Sequence, residues 1–482
     1  EIEDGTDIIA RAALRKNSTV TKVVLPASVM YIDDYAFTEC ITLAEINLEN
    51  DKSIDGYAFQ GCTELTSVAL RADVIYSYAF SNCTSLEEID LNGAKFLNSY
   101  VFSGCTALTD VVVPESVIGL NVDVFKDCTG LKTAEVKVGN LNGSASSMGN
   151  AGNGWFRNCT SLESVVFADG LLRLENYAFE NCSALTFVRL PSTLQRLSAG
   201  YGAFKNCTSL ASITVPAGVT AIENSEFVGC TSLKEVLIEG SVKTIGLSSF
   251  EGCASLDTIN LSKVTSVGKK AFLGCISLEY VNLPEASSIG NNSFENCTSL
   301  KEISFAKLSK VSDFAFSGCS SLQSVSLPLA TNIGSNAFAG CTSLKSIALP
   351  EVKALGMGAF AGCSSLAEFY APKLASIGDN AFSAASEDED GTTVYAGCPL
   401  TGFDLTGVVS IGAGAFAGCT EIKELVVPAG VESIGTGAFA GWTEEQTIRI
   451  EITEDECGWA DGWDKDTKAD INWKPAEEQA EA

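Results

Sequence analysis

The stretch LQSVSLPLATNIGSNAFAGC, residues 322–341, contains one complete copy of a pattern that runs through most of this chain. Leu322, Val325 and Leu327 are apolar, and serines flank Val325 on both sides. This alternation predicts a short strand with one buried face. Pro328 has no N–H group for a ladder hydrogen bond and therefore ends the strand.

The second half of the stretch returns the chain to its starting side. Its core positions follow one another at spacings of four, one and three residues, which suits a single helical or 3-10 turn. They are Ile333, Ala337, Phe338 and Cys341. The residue before the cysteine is almost always Gly, Asn or Asp, which tolerate a left-handed backbone, so we predict the C-terminal cap of the turn there. Examples are Gly61, Asn82, Gly104, Asp127, Asn158, Gly340 and Gly418.

The same pattern recurs along the chain. Phe followed three residues later by Cys occurs sixteen times, from residues 37–40 to residues 416–419, and most successive cysteines are 22 or 23 residues apart. Two further copies are imperfect, because an insertion follows Phe382 and Trp442 replaces the cysteine after Phe439. The chain therefore contains about eighteen copies of one unit.

A unit of this size cannot bury its apolar face alone, whereas stacked copies bury a continuous core. We therefore predict an α/β fold that is a curved, right-handed solenoid of about eighteen coils. One parallel sheet is expected on the concave face, and short helical or 3-10 turns on the convex side.

Domain boundaries follow from where the repeat begins and ends. We predict an N-terminal cap at 1–19, where apolar residues have helical spacing, and the solenoid at 20–442. Residues 443–482 are expected to contain a last strand, a Trp-rich C-terminal cap and a disordered tail. Two inserts, 140–154 and 383–397, are expected to project from the stack as loops.

Two features at these boundaries have alternative interpretations. The acidic run at 387–390 is expected to be a solvated loop, the alternative being a Ca²⁺ site, which would require a fixed alternation of oxygen ligands. Trp459, Trp463 and Trp473 are expected to cover the last coil, and the alternative is that they grip a sugar ring.

The composition excludes several classes of function. The chain has 482 residues, with 31 basic and 60 acidic side chains and a net charge of −29, which repels nucleic acid. It contains no His, so His-dependent nucleophiles and His-ligated zinc are excluded. No apolar run approaches the roughly eighteen residues of a membrane span, and we expect no membrane insertion. The chain begins without Met or an apolar leader, and we expect that an export signal has been removed.

Two copies of the repeat show a pattern that is typical of a known family. They are LASITVPAGVTAIENSEFVGCTSL at 210–233 and LKSIALPEVKALGMGAFAGCSSL at 344–366. The pattern resembles the BspA-like branch of the leucine-rich-repeat superfamily, and the resemblance covers about residues 20–442. It implies a leucine-rich-repeat solenoid and an exported bacterial surface protein that binds host or neighbouring-cell macromolecules without a catalytic motif. We therefore expect an extracellular or cell-surface location, no cofactor, and a protein or glycan partner, with host matrix among the candidates.

The cysteines allow disulfide, metal and nucleophile interpretations. No C-x-x-C pair is present. Cysteines one coil apart would all point in the same direction, which does not suit the tetrahedral geometry of a metal site. Stacked side chains about 5 Å apart lie too far apart for the roughly 3.8 Å that a disulfide needs between Cβ atoms. We predict free, buried thiols that act as small hydrophobes, with Cys457 as the one reactive thiol.

Several cysteines lie inside N-x-S/T sequons. Because Asn before the cysteine is already explained by the left-handed cap, and Gly replaces it in other copies, we predict that these sites are not glycosylated. The sequons begin at Asn82, Asn158, Asn181, Asn206 and Asn296.

Outward positions of the predicted strands are free of core duty and are the candidate ligand contacts. Most of them are Ser, Thr, Asn or Glu. The exceptions, of types enriched at interface anchors, are Phe187, Arg189, Tyr280 and Tyr370. We predict ligand contact through these four residues, and the alternative is that each packs against a side chain of a neighbouring strand.

The favoured function is noncatalytic, adhesin-like recognition by a monomeric protein. A structural spacer or surface-layer component is the alternative. A carbohydrate-active enzyme is a weaker one, because a shallow sheet offers no enclosed pocket to shift the pKa of a catalytic carboxyl group.

Overall fold

The structure is a computed structural model. The chain folds into two compact units, residues 1–242 and 243–482. Each unit is a parallel β-solenoid. The predicted insert at 140–154 lies outside the described residues except for Gly154. The structure describes residues 2–48, 52–138, 154–387, 393–459 and 461–475.

The described residues of the first unit form seventeen strands, numbered here in chain order. They are β1 (Ile8–Ile9), β2 (Lys22–Val23), β3 (Tyr31–Ile32), β4 (Glu45–Ile46), β5 (Ser53–Ile54), β6 (Ser67–Ala69), β7 (Val74–Ile75), β8 (Glu88–Asp90), β9 (Phe96–Leu97), β10 (Asp110–Val113), β11 (Gly119–Leu120), β12 (Thr133–Val136), β13 (Ser164–Phe167), β14 (Phe187–Arg189), β15 (Ser212–Val215), β16 (Ala221–Ile222) and β17 (Glu235–Ile238).

The second unit continues the numbering and adds a 3-10 helix at Glu454–Glu456. Its strands are β18 (Thr244–Ile245), β19 (Thr258–Asn260), β20 (Ser266–Val267), β21 (Tyr280–Asn282), β22 (Ser288–Ile289), β23 (Glu302–Ser304), β24 (Lys310–Val311), β25 (Ser324–Ser326), β26 (Asn332–Ile333), β27 (Ser346–Ala348), β28 (Ala354–Leu355), β29 (Glu368–Tyr370), β30 (Ser376–Ile377), β31 (Ser383–Glu387), β32 (Thr393–Gly397), β33 (Ser410–Ile411), β34 (Glu424–Val427), β35 (Ser433–Ile434), β36 (Thr447–Ile450) and β37 (Asp470–Trp473).

Each regular coil contributes two strands, where the sequence predicted one. The front strands carry the predicted V-x-L segment, as in β10–β12–β13–β14, which pair in parallel. The side strands are two residues long and form separate parallel sheets, such as β1–β3–β5–β7–β9–β11. In the side sheet Ile32 pairs with Ile54, and Ile54 with Ile75. The prediction of a single sheet was therefore wrong, because the β-branched anchor that was assigned to the helical turn pairs with the anchor of the next coil.

The segment between the side strand and the cysteine forms consecutive turns. Asn336 and Gly340 both have positive φ angles, 52° and 73°. The left-handed residue before the cysteine is confirmed, but a right-handed helical turn cannot pass through two left-handed residues four positions apart. The predicted helical or 3-10 turn is therefore not formed, and within the described residues the only helix is Glu454–Glu456.

The hydrogen bonds of this segment show why a helix is excluded. Alternate N–H groups donate to the carbonyl three residues earlier, as Cys341 does to Phe338 at 3.2 Å. The N–H groups between them leave the coil and donate to the next one, so they are not available for helical bonds. These donor and acceptor pairs are Asn336 to Met357 at 2.7 Å, Phe338 to Ala359 at 2.8 Å and Gly340 to Ala361 at 2.7 Å.

A column of phenylalanine rings fills the core of each unit. The rings of Phe37 and Phe59 in the first unit stack with centroids 5.0 Å apart. In the second unit the ring of Phe338 stacks on that of Phe360 at 5.3 Å. All four side chains are fully buried. Burial of these rings between coils gives an apolar contribution to the stability of the stack.

Both ends of the chain depart from the predicted detail. Residues 8–17 contain no helix and form a coil of the same construction, in which Ala12 and Lys16 are left-handed and β1 pairs with β3. The predicted last strand is present as β36, and β37 pairs with it in parallel. The ring of Trp463 packs edge-on against that of Phe439, with centroids 6.1 Å apart.

The insert at 383–397 was predicted to be a loop, and the structure corrects this. Its two arms are the antiparallel strands β31 and β32, in which Ser383 pairs with Gly397. Tyr395 approaches the C-terminal region, where its hydroxyl group donates to the carboxylate of Asp466 at 3.5 Å. Most of the acidic run at 387–390, with the suggested Ca²⁺ site, lies outside the described residues.

Candidate binding surface

The four predicted contact residues all lie on front strands, with their side chains outward. Phe187, Tyr280 and Tyr370 are 53%, 52% and 61% exposed, and Arg189 is also exposed. Tyr280 has a neighbour, since the ammonium group of Lys301 lies 5.4 Å from its ring centroid. Half or more of each of these aromatic residues therefore remains accessible to a partner.

The structure brings Phe187 and Arg189 together and keeps Tyr280 and Tyr370 apart. Phe187 and Arg189 are the first and third residues of β14, so they point to the same side. Tyr280 is the first residue of β21, and Tyr370 is the last residue of β29, four front strands further on. At about 4.8 Å per strand, these two rings lie roughly 19 Å apart along the stack.

Phe187 and Arg189 belong to a larger mixed surface on β10–β14. Arg189 pairs in register with Val166, and Val166 pairs with Glu135. Glu135 in turn pairs with Val112, which is 45% exposed. Apolar and charged side chains therefore alternate along this row, beside Phe187.

An open groove of about 620 Å³ adjoins this surface, where the sheet β6–β8 ends and the sheet β10–β14 begins. Its lining includes the carboxyl-bearing residues Glu87, Glu88, Asp90 and Asp110. Val112 also lines the groove and connects it to the apolar row. We call Glu88, Asp110, Val112, Val166, Phe187 and Arg189 together the front-face surface.

The carboxylates of the groove differ in their surroundings. Burial opposes ionisation of Asp90, but hydrogen bonds from Arg71, at 2.6 Å, and Asn92 outweigh it and hold its pKa below the usual range. Asp110 accepts hydrogen bonds from the hydroxyl groups of Thr109, at 2.9 Å, and Thr133. The groove thus presents carboxylates that are held by hydrogen bonds within the protein.

The cysteine column has no chemistry that points to catalysis. All eighteen cysteines are free, as predicted, and all except Cys457 are buried. Ladder thiols donate to a backbone carbonyl one coil earlier, as Cys83 does to Phe59 at 3.2 Å. Burial raises the pKa of Cys83 to about 12, so the thiolate needed for nucleophilic attack is scarce at neutral pH.

Three sequon asparagines of the first unit, Asn158, Asn181 and Asn206, form a ladder of side-chain amides. Asn181 donates to the side-chain oxygen of Asn158 at 2.8 Å, and Asn206 donates to that of Asn181 at 2.9 Å. Asn158 donates in the same way to Asp127. The amide nitrogen that a glycan would occupy is therefore already bonded, which supports the prediction that these sequons have a structural role.

One group of carboxylates among the described residues has a spacing that suits a cation. The carboxylate oxygens of Asp33, Asp34 and Asp55 lie within 4.8 Å of one another. Asp34 accepts the N–H of Gly56 at 3.0 Å, and Asp55 accepts the hydroxyl of Ser53 at 3.2 Å. Burial and the neighbouring carboxylates raise the pKa of Asp55. These bonds explain the group as part of the turn structure.

The repeat itself identifies the family of the chain. The sequence model of the BspA type leucine rich repeat region matches in six copies, over residues 7–132, 149–279, 265–387 and 391–458. The chain belongs to the BspA type leucine-rich repeat family. No curated protein matches it.

Two solved structures similar to this BspA type chain come from bacteria. A leucine-rich repeat protein from Bacteroides ovatus is 26% identical, with a TM-score of 0.57, over 89% of this chain and 91% of that protein. A leucine rich cell surface protein from Faecalibacterium prausnitzii is 20% identical, with a TM-score of 0.34, over 80% and 84% of the two chains.

The groove, with Val112 at its border and Val166 two strands further on, was missed from the sequence of this BspA type chain. Val112 lies in the run DVVV, where strict alternation in β10 is the signal that turns it outward. Glu88 and Asp110 come from different coils, and nothing in either coil marks the gap between them.

Over the described residues no helix has the length and apolarity needed to cross a membrane.

Proposed function

We propose that this leucine-rich repeat protein is a noncatalytic, adhesin-like recognition protein of the bacterial surface or surroundings. It binds a protein or glycan macromolecule, with host matrix among the candidates, through the front-face surface of the first unit. The extracellular or cell-surface location rests on the family resemblance. The protein acts as a monomer in this proposal.

The observation that carries the proposal is the pair Phe187 and Arg189. Both side chains are exposed on the same side of β14, on a solenoid whose outward strand positions are mostly small and polar. Large aromatic and Arg side chains are the types that contribute most to binding energy at interfaces. The Phe187 residue is 53% exposed, so about half of it is available to a partner.

The groove carboxylates favour recognition over hydrolysis. A glycosidase needs one carboxyl group that is shielded from water, so that its pKa rises and it can act as an acid. Glu88 and Asp110 are both exposed. They are therefore suited to bind a charged or polar group of a partner.

The proposal is tested with the full chain immobilised as bait for matrix proteins and glycans. For a retained partner, Phe187→Ala combined with Arg189→Ala is expected to weaken binding at least about tenfold without changing the thermal melt. The matched control is Ser324→Ala with Ser326→Ala, at the same two positions of β25. Unchanged affinity in the first variant would contradict the proposal, and failure to retain any macromolecule would favour the spacer alternative.

A further inference from the structure

The charged side chains on and next to the front-face surface fall into two groups. The first group is neutralised within the protein. Asp90 is paired with Arg71 at 2.6 Å, and Glu135 is paired with Lys137 at 3.2 Å. In each pair the opposite charges offset each other, which reduces the net charge offered to a partner.

The second group has no such compensation. Within the described part of the chain, no ion pair is formed by Glu88, Asp110 or Arg189. Glu88 and Asp110 line the groove, whereas Arg189 lies on β14. The uncompensated charges are therefore of opposite sign and are separated along the stack.

The space between these charges holds apolar side chains and the carboxylate of Glu135, which is paired with Lys137. Val112 borders the groove, Val166 follows on β13, and Phe187 lies beside Arg189 on β14. A partner segment that crosses the strands here meets negative charge, then apolar surface, then positive charge. This order specifies the chemistry of the segment, since charges complementary to a surface set both register and orientation.

The spacing of the strands sets the length of such a segment. From β10 to β14 there are three strand intervals, or about 14 Å. The middle of the groove lies about half an interval beyond β10, which brings the distance from the groove to β14 to about 17 Å. An extended polypeptide advances about 3.3 to 3.4 Å per residue. The distance is therefore covered by four to five residues.

We propose that the front-face surface binds an extended polypeptide segment of bipolar charge. A Lys or Arg side chain of the segment enters the groove beside Glu88 and Asp110. An apolar side chain four to five residues away covers Val166 and Phe187, and an adjacent carboxylate pairs with Arg189. This inference rests on the proposed function and selects polypeptide over glycan as its ligand.

The test uses the full chain and an array of peptides built from Thr and Ser, with an acetylated N-terminus and an amidated C-terminus. Each peptide contains one Arg and one Leu-Glu pair, and the distance from Arg to Leu varies from one to eight residues, in both orientations. Binding is expected to be strongest at four to five residues. It is expected to fall at least about fivefold when Gln replaces Arg, because one charge-assisted contact is lost.

A charge exchange makes the test specific to the groove. Asp110→Lys is expected to weaken binding of the Arg peptide at least about fivefold and to restore binding when Glu replaces that Arg. Glu88→Lys provides a second variant, and Glu302→Lys on β23 is the matched control at an equivalent outward position. Thermal melts check that each variant is folded.

The outcomes separate this inference from the proposed function. Binding that does not depend on spacing, or an Asp110→Lys variant that binds like the wild type, would overturn the inference. If the Phe187 and Arg189 variants still lose a retained partner in that case, the proposed function stands. A glycan partner that is insensitive to Asp110→Lys would also overturn the inference alone.

Discussion

The indole N–H of Trp442 donates a 2.9 Å hydrogen bond to the backbone carbonyl of Phe416. In the regular coils a cysteine thiol makes the equivalent bond, as Cys363 does to Phe338 at 3.1 Å. Trp442 is buried at the position of the missing cysteine. The repeat therefore requires at this position a buried side chain that donates to the phenylalanine carbonyl, and sulfur is one way to supply it.

Replacing Trp442 by Phe removes this donor while keeping an aromatic ring. We expect the free energy of unfolding to fall by about 1 kcal/mol more than in Trp463→Phe, because a buried carbonyl loses a hydrogen bond. Trp463 is the matched control, since it is buried and no hydrogen bond of its indole is found among the described residues. Denaturant melts measure both, and equal losses would show that ring volume alone matters at Trp442.

The phenylalanine column is tested in the middle of the second unit. Phe338 is fully buried, and its ring centroid lies 5.4 Å from that of Phe316 and 5.3 Å from that of Phe360. We expect Phe338→Ala to lower the free energy of unfolding by about 3 to 5 kcal/mol, because it leaves a cavity between coils. Ser326→Ala on the exposed face is the control. A loss below about 1 kcal/mol would contradict the stacked core.

The state of the thiols is measured by titration with a thiol reagent. In the native protein we expect about one reactive cysteine, Cys457, because the others are buried and burial raises the pKa of ladder thiols such as Cys230, to about 12. All eighteen are expected to react after denaturation without a reductant. Substitution of Cys457 by Ser is expected to abolish the native signal. A large deficit after denaturation would show that ladder cysteines are oxidised.

Glu226 predicts a pH dependence of stability. It is fully buried, and its carboxylate accepts hydrogen bonds from the hydroxyl of Ser198 at 2.8 Å and the N–H of Ala203 at 3.1 Å. Burial raises the pKa of Glu226 to about 7. Since the folded state holds this proton more tightly than the unfolded state, the free energy of unfolding should fall as the pH rises from about 4.5 to about 7.

Glu226→Gln removes this titration. Relative to the wild type, the variant is expected to gain stability between pH 5 and pH 8, by an amount on the order of 2 to 3 kcal/mol. Glu235→Gln, at an exposed position of β17, is the control and should leave the pH profile of the wild type. Parallel profiles of Glu226→Gln and the wild type would refute a buried, titrating Glu226.

The fold followed from local pattern to a large extent. The V-x-L segments, the buried Phe and Cys columns and the left-handed residue before the cysteine were all predicted, because each depends on residue types that recur at fixed spacing. The second left-handed position was missed. It is occupied by residues as different as Tyr57, Lys270 and Asn336. Its conformation is therefore tied to the backbone bonds between coils and has no residue signature.

The candidate site, like the fold, was predicted in part from local sequence pattern, and the rest depends on how the coils stack. Phe187 and Arg189 were recognised because alternation within one strand already turns them outward. The groove was not, since Glu88 and Asp110 meet where the sheets β6–β8 and β10–β14 separate. Residue order within a coil sets which side chains face solvent, by the twofold period of a strand. The spacing and pairing of strands from different coils set which exposed charges share a groove, and this depends on the three-dimensional stack.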